Sequence, residues 1–519
     1  MVRMNEHSGR TEPVWTTSAT LPEFTPLTEN MSADVCVVGA GIAGLTTAYL
    51  LTRGGRSVIV LDDGPIASGE TERTTAHLSS ALDDRYTELE SIHGERGARL
   101  AAESHSAAID TIERIVNEEH IDCDFARVDG YLFNAPGRPE HVLEDELAAA
   151  HRAGLIDVER VERAPLVSFN TGPALLFPRQ GQFHPLKYIA ALAKAIVRDG
   201  GRIFTHTHAV AVHGGRDAHV TSANGQEVHC GAVVVATNAP VNDRVSIHTK
   251  QAPYRTYVIG LSVPVGTVPK VLFWDTDDPY HYVRLEAAAP GDTRLARDIL
   301  IVGGEDHKTG QAHDPAERFA RLERWARDRF PMATEVRYRW SGQVLEPVDG
   351  LAYIGRNPLD ADNVYIVTGD SGQGMTHGTI AGVLLTDLIS GRTNRWESLY
   401  NPGRISMRST GDFVRENANV AAQYLDWLTA GEAEREESIL PGTGAIVRHG
   451  LTKIAVYRDE EGKFHECSAV CPHLRAIVDW NDAEKTWDCP AHGSRFDRFG
   501  HVINGPANRD LTPLKVIAE

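Results

Sequence analysis

Between Asp34 and Leu61 the chain alternates apolar runs with glycine: DVCVV, the turn GAGIAG, an apolar segment to about Thr52, then SVIVL. Short apolar runs bounded by glycine read as buried strands and the longer run as a helix, so the pattern predicts a βαβ unit. From about Tyr86 to Glu162, long charged amphipathic runs predict helices. Another helix is predicted over Lys187–Asp199, stopped by Gly200-Gly201, with alternating strands through Val235. Strand-like segments recur from Thr256 to Gly303. A helix follows over Pro315–Arg329, then a short strand, NVYIVTG, and a helix over Thr376–Ile389. After Leu440 the texture changes to short strands and turns, such as KIAVYRDEEGKF. The expected organisation is an irregular lead-in over 1–30, an α/β body over 31–395, a linker over 396–440 with one helix at Gly411–Leu428, and a small all-β domain over 441–519.

Length agrees with several cores: 519 residues exceed what one ordinary domain holds. With 42% hydrophobic and 24% charged residues the chain is globular. A net charge of -19 argues against nucleic acid, which needs a basic face, and against anionic lipid. No apolar stretch approaches the roughly 20 residues of a membrane span, and MVRMNEHSGRTEPVW lacks the apolar core of a signal peptide. Of six cysteines, Cys36, Cys123 and Cys230 are scattered, whereas Cys467, Cys471 and Cys489 cluster near the end. That is no disulfide framework; it predicts a cytoplasmic protein with one site that uses thiolates.

The turn places Gly39, Gly41 and Gly44 in G-x-G-x-x-G spacing between a strand and a helix. Glycines let the backbone approach a pyrophosphate, and the helix N-terminus offers N–H groups to it. The second strand ends in Asp62, near the expected offset for a ribose ligand, with Asp63 the neighbouring alternative. These residues predict a bound dinucleotide without choosing between NAD and FAD.

Further segments make that choice. SGETERTTAHLSS, the Phe183-His184-Pro185-Leu186 segment, CGAVVVATNAP, EPVDGLAYIG and NVYIVTGDSGQGMTHGTIAG together resemble the FAD-dependent oxidoreductases of the D-amino-acid-oxidase/glycine-oxidase family, over about Asp34 to Arg392. The resemblance implies a Rossmann-like FAD-binding domain with an inserted mixed β-sheet substrate domain. It implies FAD contacts at Arg73, Thr74, Thr75, Val210, Gly372, Gly374, Met375 and Thr376. The helix after Gly372 would then aim its N-terminus at the charge of a reduced flavin. Asn238 departs from the family's glycine in the ATG motif. Oxidation of an amine or amino acid at its C–N bond is the implied activity. Tyr282 and Arg284 on YHYVRL are substrate-pocket candidates, with Arg284 a candidate carboxylate clamp. Arg255 and Tyr257 come from a neighbouring strand, and His377 from the first turn of the flavin-facing helix. His77 is a candidate for covalent flavin attachment.

Near the end, Cys471, His473, Cys489 and His492 form C-x-H-x15-C-x2-H, the ligand spacing of a Rieske [2Fe–2S] centre, in which two thiolates and two imidazoles hold the two irons. A zinc site is the weaker alternative, because zinc ribbons favour Cys-x2-Cys knuckles. The text from AVYRDEEGKF to GHVINGPA closely resembles Rieske domains over 441–519. Ala476 and Ala491 stand where the respiratory proteins have disulfide-forming cysteines. Ser494 is retained and Phe496 replaces a tyrosine donor, which implies a potential in the lower half of the Rieske range. Arg475 replaces a usual glycine.

A flavin takes two electrons at once and a Rieske centre one, so the pair is expected to split electrons. No second G-x-G-x-x-G unit follows, and no D-x2-H-x4-5-H set for an oxygenase iron is found. The leading expectation is an amine or amino-acid dehydrogenase that passes electrons through the cluster to an unknown acceptor. The alternatives are an oxidase using O2 with a structural Rieske module, or an electron-transfer or redox-sensing partner without turnover.

Overall fold

The computed structural model describes residues 8–242, 247–288, 297–405, 410–450 and 452–514. The glycine-interrupted apolar runs pair as predicted. Met31–Val38 lies parallel between Glu227–Val235 and Val58–Leu61, with Val38 opposite both Val235 and Leu61. Val364–Thr368 and Arg202–Phe204 extend this sheet, Tyr353–Arg356 closes one edge antiparallel, and the hairpin Ala209–Ser222 branches from it. These strands read as continuous apolar runs because helices cover the sheet. Ile42–Arg53 and Gly374–Ile389 pack so closely that a methyl on Gly382 would lie 2.5 Å from Thr46 Cγ2.

A second sheet of nine strands stands beside it. Its order runs from Val336–Pro347 through Gln251–Pro264, Arg297–Lys308, Tyr282–Glu286, Leu272–Asp275, Ala126–Phe133 and Ala174–Gln182 to His77–Leu78. The charged stretch from Tyr86 to Glu162 is therefore not all helical. Helices Arg85–Glu118 and His141–Arg152 flank the strand Ala126–Phe133, which pairs with Ala174–Gln182 and Leu272–Asp275. That strand alternates buried and half-exposed positions only from Val128 onward, too briefly to stand out from its charged surroundings. The helix over Pro315–Arg329 falls where the sequence placed it.

After the linker come two small antiparallel sheets, Thr443–Ser468 and Asp479–Asn504, around the core of Trp487, Phe496, Tyr457 and Ala455. The linker helix is Thr410–Gln423, tightening to a 3₁₀ turn over Tyr424–Leu428.

The C-terminal domain is fused to the body. Glu484, fully buried, accepts from Arg73 Nη1 at 3.3 Å, and from Ser341 Oγ. It also accepts from the backbone N–H of Thr11 at 3.1 Å and from Thr11 Oγ1 at 2.6 Å. Burial alone would raise the Glu484 carboxyl, but Arg73, Arg255 and Arg495 around it outweigh burial and hold it at about 2. Arg495 pairs with Asp488 at 3.1 Å and bonds Ser8 Oγ at 3.0 Å. The lead-in is thus threaded between the domains as a strap. Among the described residues, no helix is long and apolar enough to cross a membrane.

Candidate active site and cluster site

One cavity opens where the two sheets meet. It is lined by Gly39, Gly41 and Asp62 at one side and by Trp274, Tyr280, Tyr282 and the N-terminus of Gly374–Ile389 at another. Gly39 has φ +108, and a methyl there would strike Ala236 O at 2.4 Å, so only glycine fits the turn. Gly44 faces away from the cavity: its missing side chain lets the helix pack on the turn, since a methyl would meet Gly39 O at 1.9 Å. Asp62 accepts from Ala40 N at 2.5 Å and Gly64 N at 3.0 Å, with its carboxyl raised to about 7 by burial and by Asp63. Asn238 explains its departure from glycine: its φ is +61, a left-handed position that Asn tolerates better than most side chains.

The other predicted cofactor contacts divide. Thr74, Thr75, Gly372, Gly374 and Met375 border the cavity. Thr376 lies behind it, donating to Gln373 O and bonding His105 Nδ1 at 2.9 Å. Val210 is exposed outside it, and its neighbour Ala209 borders the cavity in its place. Arg73 borders it too, but its guanidinium donates to Ser341 O at 2.8 Å and to Thr11 and Glu484, at the domain junction.

The substrate candidates divide as sharply. Tyr282 lines the cavity, its hydroxyl 2.7 Å from Thr256 Oγ1. His377 lines it as well, held by Asp370 O at 2.8 Å and His105, and burial lowers it to about 4, so it stays neutral. His77 also lines it, 3.0 Å from Thr75 Oγ1, lowered to about 3 by burial and by Arg284. Arg284 is no clamp: its Nη1 donates to the carbonyls of Thr75, Ala76 and Phe183, its Nη2 to Glu286, and its plane covers Trp15. Arg255 is fully buried on the face of the second sheet turned toward Glu484 and Asp488, bonded to Ser341 Oγ. Tyr257, on the same strand, bonds His307 Nε2 at 3.0 Å, away from the cavity.

Carboxylates, unnamed by the sequence, take their place. Asp83 accepts from Tyr280 Oη at 2.6 Å and Gln373 Nε2 at 2.9 Å, and burial raises it to about 7. Asp306 is raised to about 6 by burial, and its Oδ1 has no hydrogen-bond partner. Arg73 is the one guanidinium among the described lining residues, and it is engaged elsewhere.

The four cluster residues converge from two loops of one design. Cys471 N donates to Ala476 O at 2.9 Å and Arg475 N to Cys471 O at 3.0 Å; Cys489 N donates to Ser494 O at 2.8 Å and Gly493 N to Cys489 O at 3.0 Å. Arg475 and Gly493 occupy the same left-handed position, with φ +67 and +77. The rings of His473 and His492 stand 5.1 Å apart. A bond with Cys489, with help from Ser494, favours the Cys471 thiolate despite burial. Two buried thiols, the buried imidazole of His492 and the half-buried one of His473, in facing loops, fit a two-iron cluster. The Nδ1 of His492, buried and without a hydrogen-bond partner, is a donor atom left for metal. Phe496 is buried without exposure, and Ala476 and Ala491 fill the core beside the loops. His248, from the flavin-side body, packs edge-on against both ligand rings, 5.0 Å from His473 and 6.1 Å from His492.

Residues 34–388 match the family model for FAD dependent oxidoreductases (DAO), and residues 431–515 match the Rieske [2Fe-2S] domain. The chain is 32% identical over 517 residues to a protein of Bacillus subtilis (strain 168) described as a Rieske 2Fe-2S iron-sulfur protein, YhfW, covering 99% of both. It is 29% identical over 393 residues to gamma-glutamylputrescine oxidoreductase of Escherichia coli (strain K12), covering 73% of this chain and 88% of that one. The structure of glycine oxidase from Geobacillus kaustophilus superposes with a TM-score of 0.60 at 18% identity, over 72% of this chain and all of that one, a likeness of fold. The chain belongs to the DAO family of FAD-dependent oxidoreductases and carries a C-terminal Rieske domain, which makes it an oxidoreductase of FAD and a [2Fe–2S] cluster.

Proposed function

We propose that this protein oxidises a cationic amine at its C–N bond and sends the electrons out through the cluster, one at a time, to a separate acceptor. In that reaction the ammonium loses one proton and the carbon loses a hydride, which leaves an iminium; FAD, when bound, would supply the two-electron acceptor and the cluster a one-electron outlet. The observation that carries the electron route is Gln343. It lines the flavin cavity, and its side-chain amide donates to Gly493 O at 3.0 Å, one residue from the ligand His492. A wall one side chain thick between the two sites favours transfer within the molecule. The similarity to gamma-glutamylputrescine oxidoreductase supports an amine substrate.

The lining favours an amine over an amino acid. Among the described lining residues a substrate carboxylate would find no disengaged guanidinium, whereas an ammonium group would meet Asp83 and Asp306 beside the rings of Tyr280, Tyr282 and Trp274. The ionised carboxylates would also accept the proton an ammonium must lose before hydride transfer. Both are raised acids, protonated below their pKa values and anionic above. The KM for an amine is therefore expected to fall as pH rises through about 6 to about 7.

Anaerobic addition of amines and amino acids tests the reading. An amine should bleach the flavin and then produce the electron paramagnetic resonance signal of a reduced Rieske cluster. Bleached flavin beside a cluster that stays oxidised would refute the electron route. Faster bleaching by amino acids than by their decarboxylated counterparts would refute the substrate class.

A further inference from the structure

We infer that the Rieske domain is itself part of the FAD site, with its segment from Asp497 to Asn508 walling the nucleotide half of the cofactor cavity. The cavity that begins at Gly39 and Gly41, where a pyrophosphate binds, and passes Asp62 at the ribose position continues to His208 and Ala209. Along that stretch the facing surface comes from the other domain: Val502, Ile503, Asn504, Gly505 and Asn508.

Specific bonds hold this wall in place. Asn508 Nδ2 donates to Ala209 O at 3.0 Å and to Val210 O at 3.3 Å, and Asn508 O lies 3.3 Å from His208 Nε2. Asn504 Nδ2 donates to Glu70 Oε1 at 2.9 Å, while the other oxygen of Glu70 accepts from Gln343 N at 2.7 Å. Gly505 comes so near the strand end that a methyl would lie 3.1 Å from Ala239 O. The wall is also tied to the cluster, since Ala507 N donates to the hydroxyl of Ser494 at 2.9 Å.

Two consequences follow. FAD bound along this stretch would be held in part by this wall, so retention of the cofactor is coupled to docking of the domain. The cluster is likewise fixed over the cavity and does not swing between partners, because the same contacts that close the nucleotide half hold the ligand loops. The inference depends on FAD occupying the cavity and not on which substrate is oxidised.

The test compares flavins that do and do not carry adenylate. FAD dissociation is followed by fluorescence on dilution of the full-length holoenzyme, and FMN affinity by competition. Asn508→Ala should weaken FAD by about tenfold, two hydrogen bonds' worth. It should leave FMN affinity and the cluster's resonance spectrum unchanged. Glu416→Gln loosens the linker contact with Lys308 away from the cavity and should leave both flavins unaffected. Gly505→Ala gives the same test by crowding the wall if Asn508→Ala does not fold. FAD binding within twofold of the parent in both variants would overturn the inference. So would equal weakening of FAD and FMN, which would mean a general loosening.

Discussion

The two loops that carry the cluster ligands share one backbone plan and, although His248 of the body packs on a ligand ring from each, hydrogen-bond to different surroundings. The loop from Cys471 to Ala476 faces the linker: Tyr424 Oη donates to Leu474 O at 2.7 Å and Trp427 Nε1 to Arg475 O at 3.0 Å. The loop from Cys489 to Ser494 faces the flavin body, where Gln343 reaches Gly493 O and Gln311 reaches Pro490 O at 3.1 Å. At the equivalent left-handed position, the linker-side loop keeps an exposed arginine and the body-side loop needs glycine. A methyl on Gly493 would come 2.5 Å from Pro253 Cβ. Ligand geometry is thus set within each loop, while the second loop's composition is set by docking. The cluster's orientation toward the flavin is built by the body-side face.

If docking is what distinguishes the loops, breaking its buried ion network should have the largest effect. Glu484→Ala leaves Arg73, Arg255 and Arg495 together in a buried site, and removal of one partner from such a site costs about 3–5 kcal/mol. Differential scanning calorimetry should show the loss, with the cluster spectrum of the folded fraction unchanged. The same network gives a pH dependence. Glu484 is depressed from the ordinary glutamate value of about 4.5 to about 2, so its contribution is fully present above about 4.5 and is lost as pH falls toward about 2. The wild-type interface should loosen in that window, as read by protease sensitivity, and Glu484→Gln should remove this component of the acid response.

What the sequence made legible follows the range of the interactions. Cys471, His473, Cys489 and His492 announce themselves because each pair lies within one short loop, so the whole ligand set is written in local spacings. Gly39 and Gly41 are equally local. Arg284 and Arg255 misled because strand alternation shows which residues share a face but not what that face meets. One faces backbone carbonyls beneath Trp15, and the other faces a different domain. Glu484 gave no local signal, since its partner Arg73 is 411 positions away in the chain. Asp83 and Asp306 were illegible for the same reason: a carboxylate in a charged stretch looks solvated until the fold closes over it. Gly44 was legible as part of the motif, yet its task is helix packing.

Next in size is Gly493→Ala, which tests the body-side loop alone. Left-handed backbone without glycine costs about 1 kcal/mol, and the contact with Pro253 adds about 1–3 kcal/mol of overpacking unless the domain shifts away. The expected outcome is a lower melting temperature together with slower reduction of the cluster by the reduced flavin, because relief of the clash moves the loop of His492 away from Gln343 in the cavity wall. Stopped-flow absorbance separates the two. A destabilised protein with an unchanged intramolecular rate would show that Gly493 matters for packing but not for the electron route.

The smallest effect is expected from the matching change in the other loop, Arg475→Gly. The substitution relieves the cost of a side chain at φ +67, worth up to about 1 kcal/mol. It also makes the unfolded chain more flexible, which offsets most of that gain. The bond from Trp427 is made to the backbone carbonyl and survives the loss of the side chain. Arg475 is exposed, so no packing is lost with it. Stability should stay within about 0.5 kcal/mol of the parent, and the flavin-to-cluster rate should not change. A marked fall in that rate would mean that the linker-side loop also positions the cluster, and the asymmetry between the loops would then be one of composition alone.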